Sequence, residues 1–548
     1  MVVARPEARV PEARSLCMGR GSVLNGGAGR RARSGGAWVV MLAIALAGVA
    51  SGNVIGAGAQ GGERASGGVV ELSRHAETGV VSAWLGNGVR VHVLSMPGAG
   101  EVRVAAMLAG GLLGESGDGR GSAALLSTAA LGRAAHGQMP VDAVDAALGQ
   151  RGVRVTSSVL ADAIRLDMGG PTGELGWMLD LLSSVVREPR VDAGSARAWR
   201  QAAETVRAKG GAEPRLRLRE AVRAALGEDR AAHLGTLTDG DADVARAQAC
   251  AERLVTRAPM EVVIVTPGAW GEALGHAERA LGGLAARARI GPSVAIAPGR
   301  AHEAVGELAV RAVATGSRAN AGARPELGFG AAAGEHAAAR EGVGLGMVGV
   351  SRVERLAGSD RAAVLVGFAA PGAERLDELR AMTLARLVLE ERLRDRLLTE
   401  VGEGRAWAWI SLTPGGADGA KGMFAVVATG PSDRAEAMTA LAQAELIRFA
   451  SHGATPGELE RAKRRVDEQL GSQLATARGV ADRLCGVTFR GQRIEDAMGV
   501  REHYRRVRVE DTRRAVHDWM SRGILGETGE GARGSGLLVV QVIGVDGE

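Results

Sequence analysis

Residues 85–93 read LGNGVRVHV, residues 101–111 read EVRVAAMLAGG, and residues 121–130 read GSAALLSTAA. In chain order they predict a strand beside an Asn-Gly turn, a second strand, a Gly-rich turn and a helix. The valines mark the strands, because β-branched side chains pack well on a pleated sheet. The helical segment contains no side chain that ionises near neutral pH. These segments therefore predict a strand–strand–helix core whose helix carries no acid–base group.

The composition is that of a folded chain of two or three domains. Of the 548 residues, 46% are hydrophobic, 24% are charged and only 3% are aromatic. The cores must therefore consist mainly of Ala, Val and Leu, and an aromatic platform for nucleic acid is not expected. The first 59 residues hold seven arginines and two glutamates, which account for the whole net charge of +5. The neutral remainder does not support a nucleic-acid partner.

An apolar segment follows the arginine-rich start of the chain. Residues 37–59 read AWVVMLAIALAGVASGNVIGAGA and contain no charged residue. The small-residue pattern Ala-Gly-Ala at 57–59 is typical of a secretory signal peptide. We expect residues 1–59 to be this signal and the mature protein to be periplasmic or secreted. An uncleaved anchor in the inner membrane through residues 37–59 is the alternative, because the segment is long enough to span a bilayer.

Hydrophobic periodicity divides the rest of the chain into two α+β halves. Strands are predicted at 89–94, 102–108, 153–168 and 262–265, and again at 362–368, 407–412, 423–429 and 537–543. Helices are predicted at 122–131, 141–148, 174–186, 195–225, 374–398, 434–451 and 456–473. The similar order of elements indicates a duplicated unit. The predicted organisation is a linker at 60–79, a first domain at 80–272, a linker at 273–302 and a second domain at 303–548.

The second half contains one strong local signal, HGATPGELERAK at 452–463. Thr455 stands at a helix N-cap, Pro456 at the first helical position and Glu458 at the third, which predicts a capping box. The pattern Gly-x-Thr-x-x-Glu-Leu-x-x-Ala-Lys also resembles the second domain of the insulinase/pitrilysin metallopeptidase family. VRVEDTRRAVHDWM at 507–520 resembles the closing helix of that domain.

The element order of the first half resembles the first domain of the same family, so the resemblance covers most of residues 80–545. It implies a fold of the α+β class with two homologous α/β-sandwich domains. Each domain would be a mostly antiparallel mixed sheet covered by helices.

In active members of this family the first helix carries His-x-x-Glu-His, in which the histidines bind zinc and the glutamate is the catalytic base. The corresponding positions here are Ala124, Ser127 and Thr128. Alanine has no donor atom, and a neutral hydroxyl neither binds zinc well nor replaces a carboxylate base. The third ligand of the family is a glutamate on a later helix, and Glu204, 76 positions after Thr128, matches it as a relic. The resemblance thus implies no catalytic residue, no metal ligand set and no cofactor, whereas active relatives hold zinc. For Glu204, a solvated glutamate on a helix face is the alternative.

The resemblance also points to candidate substrate-binding residues. Thr156 replaces an asparagine that family members commonly carry on the substrate-facing strand. Trp407 stands where the second domain usually has a tyrosine, and the arginine of that domain falls near Thr399. Trp407 can donate through its indole N–H but lacks a phenol. A tryptophan that only packs on a half-buried strand is the alternative.

Residue spacing predicts no other metal site. Among the ten histidines, no two are three to five positions apart, so none forms a local ligand pair. Cys250 and Cys485 lie far apart without C-x-x-C spacing. We expect them to be buried thiols, with one inter-domain disulfide as the alternative.

Three functions remain open from the sequence. The first is a non-catalytic insulinase-family subunit that binds peptides and pairs with a catalytic homologue, or with a second copy of itself, to enclose a peptidase chamber. The second is a zinc metalloendopeptidase with an atypical ligand set. The third is a structural protein of the cell envelope.

Overall fold

A computed structural model describes residues 67–111, 141–160, 162–191, 193–210, 213–226, 244–289, 348–372, 375–411, 422–522 and 536–545. Within these residues, twelve strands form two sheets. None of the described helices is long and apolar enough to cross a membrane. The predicted signal or anchor at 37–59 and the predicted helix at 122–131 lie outside the described residues.

The first sheet has seven strands. Their bounds are β1 Val69–Arg74, β2 Val81–Leu85, β3 Arg90–Ser95, β4 Val102–Ala109, β5 Arg154–Val159, β6 Ala163–Gly170 and β7 Met260–Thr266. The spatial order is β1-β2-β3-β7-β4-β6-β5, and all neighbours are antiparallel except the pair β3–β7. β1 and β5 are therefore the edges of this sheet, and no described strand pairs with their outer sides.

The second sheet has five strands. They are β8 Val348–Ala357, β9 Arg361–Ala370, β10 Arg405–Ser411, β11 Gly422–Pro431 and β12 Leu537–Val545. The order is β10-β11-β9-β12-β8, with one parallel pair, β12–β8. Strands β3–β7 and β8–β12 thus follow one topology, in which the first and last strands pair in parallel and three antiparallel neighbours follow.

A local feature repeats in the same way. Pro171 and Pro431 each follow a glycine at the end of a strand and lead into one 3₁₀ turn, Thr172–Glu174 or Ser432–Arg434, before a long helix. Their φ angles are −58° and −61°, as the proline ring requires. The duplicated unit and the α+β class predicted from the sequence are confirmed.

Helices cover both sheets. In the first half they are α1 Val141–Arg151, α2 Leu175–Arg187, α3 Ala193–Gly210, α4 Pro214–Leu226, α5 Val244–Cys250 and α6 Trp270–Leu281. In the second half they are α7 Leu376–Arg396, α8 Ala435–His452, α9 Pro456–Leu474, α10 Ala477–Leu484, α11 Ile494–Met498, α12 Val500–Arg506 and α13 Val509–Arg522. One face of the first sheet packs against α2 and α6, and one face of the second packs against α7, α8 and α13.

Each half also covers the remaining sheet face of the other half. Val480 and Leu484 of α10 are buried against β4 and β7 of the first sheet. Leu218 and Val222 of α4 are buried against β9 and β12 of the second sheet. Burial of one such side chain contributes about 1.5–3 kcal/mol, so neither face would be stable in water without this exchange. The two halves therefore depend on each other for their cores.

Several predicted elements differ in the structure. The predicted strand 153–168 is the hairpin β5–β6, in which Leu160 N–H donates to Ala163 O across the turn. The predicted helix 195–225 is divided into α3 and α4, because Pro214 lacks an N–H and begins a new helix. β1 lies within the predicted linker 60–79, and α6 extends into the predicted linker 273–302. The domain boundaries remain predictions. Cys250 and Cys485 are both buried and form no disulfide, so the bridged alternative is wrong.

Candidate functional site

The positions predicted for the lost metal centre are only partly described. Ala124, Ser127 and Thr128 lie outside the described residues. Glu204 lies on α3 with an exposed side chain. Within the described ranges, no three His, Cys, Asp or Glu side chains form a group that could hold a metal ion. The role of these positions stays a prediction.

Thr156 lies on β5, the edge strand of the first sheet, and is exposed. It stands opposite Asp167 of β6 and lines a cavity of about 120 Å³ between this edge of the sheet and α10. Arg154, Arg478 and Asp482 also line the cavity. The predicted substrate-facing residue is thus at a sheet edge and beside a charged cavity.

Trp407 lies on β10, the edge strand of the second sheet, and is half-buried. Its ring packs with the apolar cluster around Leu218 of α4, and the guanidinium of Arg215 lies 4.8 Å from the ring centroid. Thr399 lies in a π turn after α7, where its hydroxyl donates to Asp395 O at 2.9 Å. Trp407 and Thr156 therefore occupy different sheets, and no contact between them occurs in the described part of the chain. Trp407 packs between the halves, and its role in substrate binding stays a prediction.

The predicted capping box is confirmed. Thr455 Oγ1 accepts from Glu458 N–H at 3.3 Å, and Glu458 Oε2 accepts from Thr455 N–H at 2.7 Å. Arg392 of α7 donates to both oxygens of Glu458 and to Gly453 O. These bonds lower the pKa of Glu458 to about 2, mainly through Arg392. The family-like motif thus fastens α9 to α7.

A chain of polar side chains joins the first sheet to the segment after α10. Ser82 Oγ lies 3.0 Å from His75 Nε2 and 2.7 Å from His92 Nδ1. His92 Nε2 lies 2.9 Å from Thr488 Oγ1, and His75 Nδ1 lies 2.8 Å from Glu495 Oε1. These bonds connect residues of the first 100 positions with residues of the last 70.

Glu261 completes this buried network. Its Oε1 accepts from the N–H groups of Gly486 and Thr488 at 3.2 and 3.4 Å, and its Oε2 accepts from Phe489 N–H at 2.9 Å. His92 Nε2 lies 3.3 Å from Oε1. Three backbone donors offset the cost of removing the carboxylate from water. The sheet thereby fixes the loop 486–489 of the second half.

Ser82, His92 and Glu261 are the residue types of a hydrolase triad, but their arrangement is structural. All three have 0% exposure, so no substrate reaches the Ser82 hydroxyl. The Asn-Gly turn sets the register of the β2–β3 hairpin, which places Ser82 opposite His92. This pairing can be predicted from the turn and the two strands that flank it. The contacts with residues 486–495 carry no local signal.

A cleft of about 1050 Å³ lies between the start of α7 and helices α11–α13. Arg375 pairs with Glu378 and Arg380 with Asp377 inside the cleft, whereas Arg493 and Arg506 pair with carboxylates outside its lining. Trp519 Nε1 donates to Glu378 Oε2 at 2.6 Å, and His503 lies 3.3 Å from Asp496. Because arginines and carboxylates line the cleft in nearly equal number, the cleft does not select a ligand of one charge. The edge at β5 is the better candidate site.

Sequence comparison adds one family match. The model of the peptidase M16 inactive domain matches residues 349–466, from β8 into α9. No curated protein matches the sequence significantly.

Solved structures share the fold at low sequence identity. The periplasmic protease PqqL from Escherichia coli matches with a TM-score of 0.63 and 14% identity, over 87% of this chain and 46% of that one. A peptidase M16 inactive domain from Pseudomonas fluorescens matches with a TM-score of 0.61 and 15% identity, over 86% and 99% of the two chains. A protease from Helicobacter pylori matches with a TM-score of 0.62 and 14% identity, over 85% of this chain and 99% of that one. The chain spans about half the length of PqqL. The resemblance predicted from the sequence is thereby confirmed: residues 349–466 match the M16 inactive domain, and the chain shares the M16 peptidase fold.

Proposed function

We propose that this chain is an exported, catalytically inactive M16 protein that pairs with a zinc-bearing homologue and holds peptides along β5. The observation that carries the proposal is the open edge of β5 in an M16 fold whose sequence lacks the zinc-binding motif. Each part of the proposal has its own support.

Inactivity is supported by the chemistry of three side chains. A catalytic zinc needs three protein ligands and a water, and the water needs a carboxylate base. Ala124, Ser127 and Thr128 supply neither a strong ligand nor a base, and Glu204 alone cannot hold the ion. The match of residues 349–466 to an inactive domain agrees with this proposal.

A partner of the same fold is supported by the extent of the match to PqqL. The match covers 87% of this chain and 46% of PqqL, so a second unit of the same fold would complete a PqqL-like enclosure. Inactive M16 domains often pair with active M16 subunits, and such a subunit would supply the zinc that this chain lacks. A second copy of this chain would complete the enclosure without adding a metal site.

Peptide binding is supported by the geometry of β5. Its side chains alternate between exposed and half-buried positions, and no described strand lies outside it. A strand edge offers N–H and C=O groups that an extended peptide can pair with, while its side chains enter pockets on alternate faces. Export is supported by the segment 37–59 and by the periplasmic location of PqqL.

The test begins with the purified chain and its metal content. We expect less than about one zinc per ten chains, no peptide cleavage, and co-purification with an M16 homologue that carries His-x-x-Glu-His. Deleting the chain should then lower the activity of that homologue. Stoichiometric zinc with cleavage would instead establish the atypical peptidase, and a chain that binds neither peptide nor homologue would be an envelope protein.

Peptide capture at β5 is tested with paired proline variants. Thr156→Pro and Ser157→Pro alter neighbouring N–H groups, which point to opposite edges of a strand. The variant that loses an outward N–H should keep its melting temperature but bind an extended peptide at least about fivefold more weakly. Leu72→Pro on the other edge strand, β1, is the control and should leave the affinity unchanged.

A further inference from the structure

The small cavity beside β5 lies on one face of the first sheet. Arg154, Thr156 and Ser158 alternate with the other residues of β5 and share one face, because side chains of a strand point to opposite faces in turn. Thr156 pairs with Asp167, which lines the same cavity as Ala481 of α10. This face of β5 is therefore the one that α10 covers.

A peptide paired with β5 would place one side chain over this cavity. Its backbone would lie about 4.7–4.9 Å outside β5, and the residue opposite Thr156 would have its Cβ about 4.5–5.5 Å from that of Thr156. The cavity holds about 120 Å³, roughly the volume of four liquid waters. A side chain of four or five heavy atoms fits such a space.

The side chains that line the cavity carry a net positive charge. Arg103, Arg154 and Arg478 line it together with two carboxylates, Asp167 and Asp482. Both carboxylates already bind Arg165, which lies outside the lining. Arg103 and Arg154 bind Glu101, which also lies outside it. Arg478 lies 4.0 Å from Asp482 and makes no hydrogen bond within the described ranges. Arg154 uses one of its donors, at 2.8 Å from Glu101. The side chains of Arg154 and Arg478 are 68% and 72% exposed, so both can turn towards a ligand.

We infer that this cavity is a subsite for an acidic side chain, Asp or Glu, of a peptide that adds to β5. The inference rests on the proposed function, because it needs a peptide at that edge. A carboxylate opposite Thr156 would accept from Arg154 and Arg478, which stand on two sides of it on β5 and α10. A lysine there would meet two like charges, and a neutral amide would gain no ionic contact.

Fluorescent ten-residue peptides of alternating Thr and Val, with one central residue changed, test this inference on the full chain. The central residue is Glu, Gln or Lys, and the strand can slide until that residue faces the cavity. We expect the Glu peptide to bind about three- to fivefold tighter than the Gln peptide, the range of one exposed ion pair, and the Lys peptide to bind more weakly than both. The preference should fall as salt rises from 0.05 to about 0.5 M, because screening weakens exposed pairs.

Charge variants identify the residues responsible. R478Q and R154Q should each reduce the preference for Glu, and the double variant should abolish it. R190Q removes an arginine of 66% exposure on another surface and should leave the preference intact. Binding of all three peptides with equal affinity, or a Glu preference that survives the double variant, overturns the subsite but leaves the proposed function standing. Failure of every peptide to bind overturns both.

Discussion

Arg392 and Glu458 form a two-pronged ion pair between α7 and α9, in which Nε donates to Oε1 and Nη2 to Oε2, each at 2.7 Å. The same carboxylate caps α9 through Thr455. One side chain thus serves both a helix start and a helix–helix contact. This explains in physical terms why the motif at 452–463 has a glutamate at that position.

Glu458→Gln should destabilise the protein by about 1.5–3 kcal/mol at pH 7, the range for a hydrogen bond to a charged group. Glu460→Gln on the same helix is the control, because Glu460 is 58% exposed and its one ion pair in the described part of the chain is with Lys463. Glu460→Gln should lower the free energy of unfolding by less than about 0.5 kcal/mol. Urea unfolding of both variants gives the comparison, and equal losses would contradict the assigned role.

The same pair predicts a dependence of stability on pH. The pKa of Glu458 is lowered from 4.5 to about 2 in the folded chain, so the folded state holds the ionised form. Its contribution is therefore complete above about pH 4.5 and is lost as the pH falls towards 2. The difference in unfolding free energy between the wild type and Glu458→Gln should shrink across that window. A difference that stays constant from pH 6 to pH 3 would sink the prediction.

Glu261 is predicted to hold the two halves together through its buried carboxylate. In Glu261→Gln an amide N–H₂ faces backbone donors of the loop 486–489, and at least one buried donor loses its acceptor. We expect the free energy of unfolding to fall by about 2–3 kcal/mol and hydrogen exchange to become faster at the amides of residues 486, 488 and 489. Glu495→Gln at the half-buried end of the same network should lower the free energy of unfolding by less than about 1 kcal/mol, since the amide oxygen still accepts from His75. If exchange at the loop is unchanged in Glu261→Gln, Glu261 does not anchor it.

The Asn-Gly turn at 87–88 is predicted to be intolerant of a Cβ for two separate reasons. Gly88 has a φ of +85°, and a Cβ there would lie 2.2 Å from Arg287 O. Gly98 has a φ of +88° and nothing within 4 Å of the same position. Gly98→Ala should therefore show the conformational cost alone, about 1–2 kcal/mol, and Gly88→Ala should exceed it by more than about 1 kcal/mol. Thermal unfolding measures both, and equal shifts would refute a steric role for Arg287.

Local patterns in the sequence predict the elements that carry their own signal. β9, β11 and β12 are apolar runs that contain valines, and α9 has a complete capping box, so their types and positions follow from short segments. The sequence does not predict β1. Its apolar residues Val70 and Leu72 are both exposed, so no alternation of apolar and polar residues marks a buried face. α10 is a short amphipathic helix whose apolar face packs on the sheet of the other half. The hydrophobic periodicity of a helix predicts its apolar face but not the sheet on which that face packs.

The candidate site shows the same limit. Thr156 was identified by its position in a family-like strand, but its neighbours Arg478 and Asp482 come from a helix more than 300 residues later. The pairing of His75 with Glu495 spans 420 residues. Such contacts arise from the exchange of helices between the halves, and this exchange is a property of the assembled fold.

The register of the lost metal centre is testable by rebuilding it. Ala124→His, Ser127→Glu and Thr128→His together restore His-x-x-Glu-His, and Glu204 would supply the third ligand. We expect the triple variant to bind about one zinc per chain, whereas the wild type binds little. Adding Glu204→Gln should weaken zinc binding more than the roughly 10- to 100-fold that loss of an outer-shell partner costs. Adding Glu188→Gln, a glutamate of 64% exposure outside the site, should leave it unchanged. Zinc content and competition with a chelator measure these affinities. A triple variant that takes up no zinc would show that residues 124–128 and Glu204 do not face one another, and that the segment 121–130 never corresponded to the metal-binding helix.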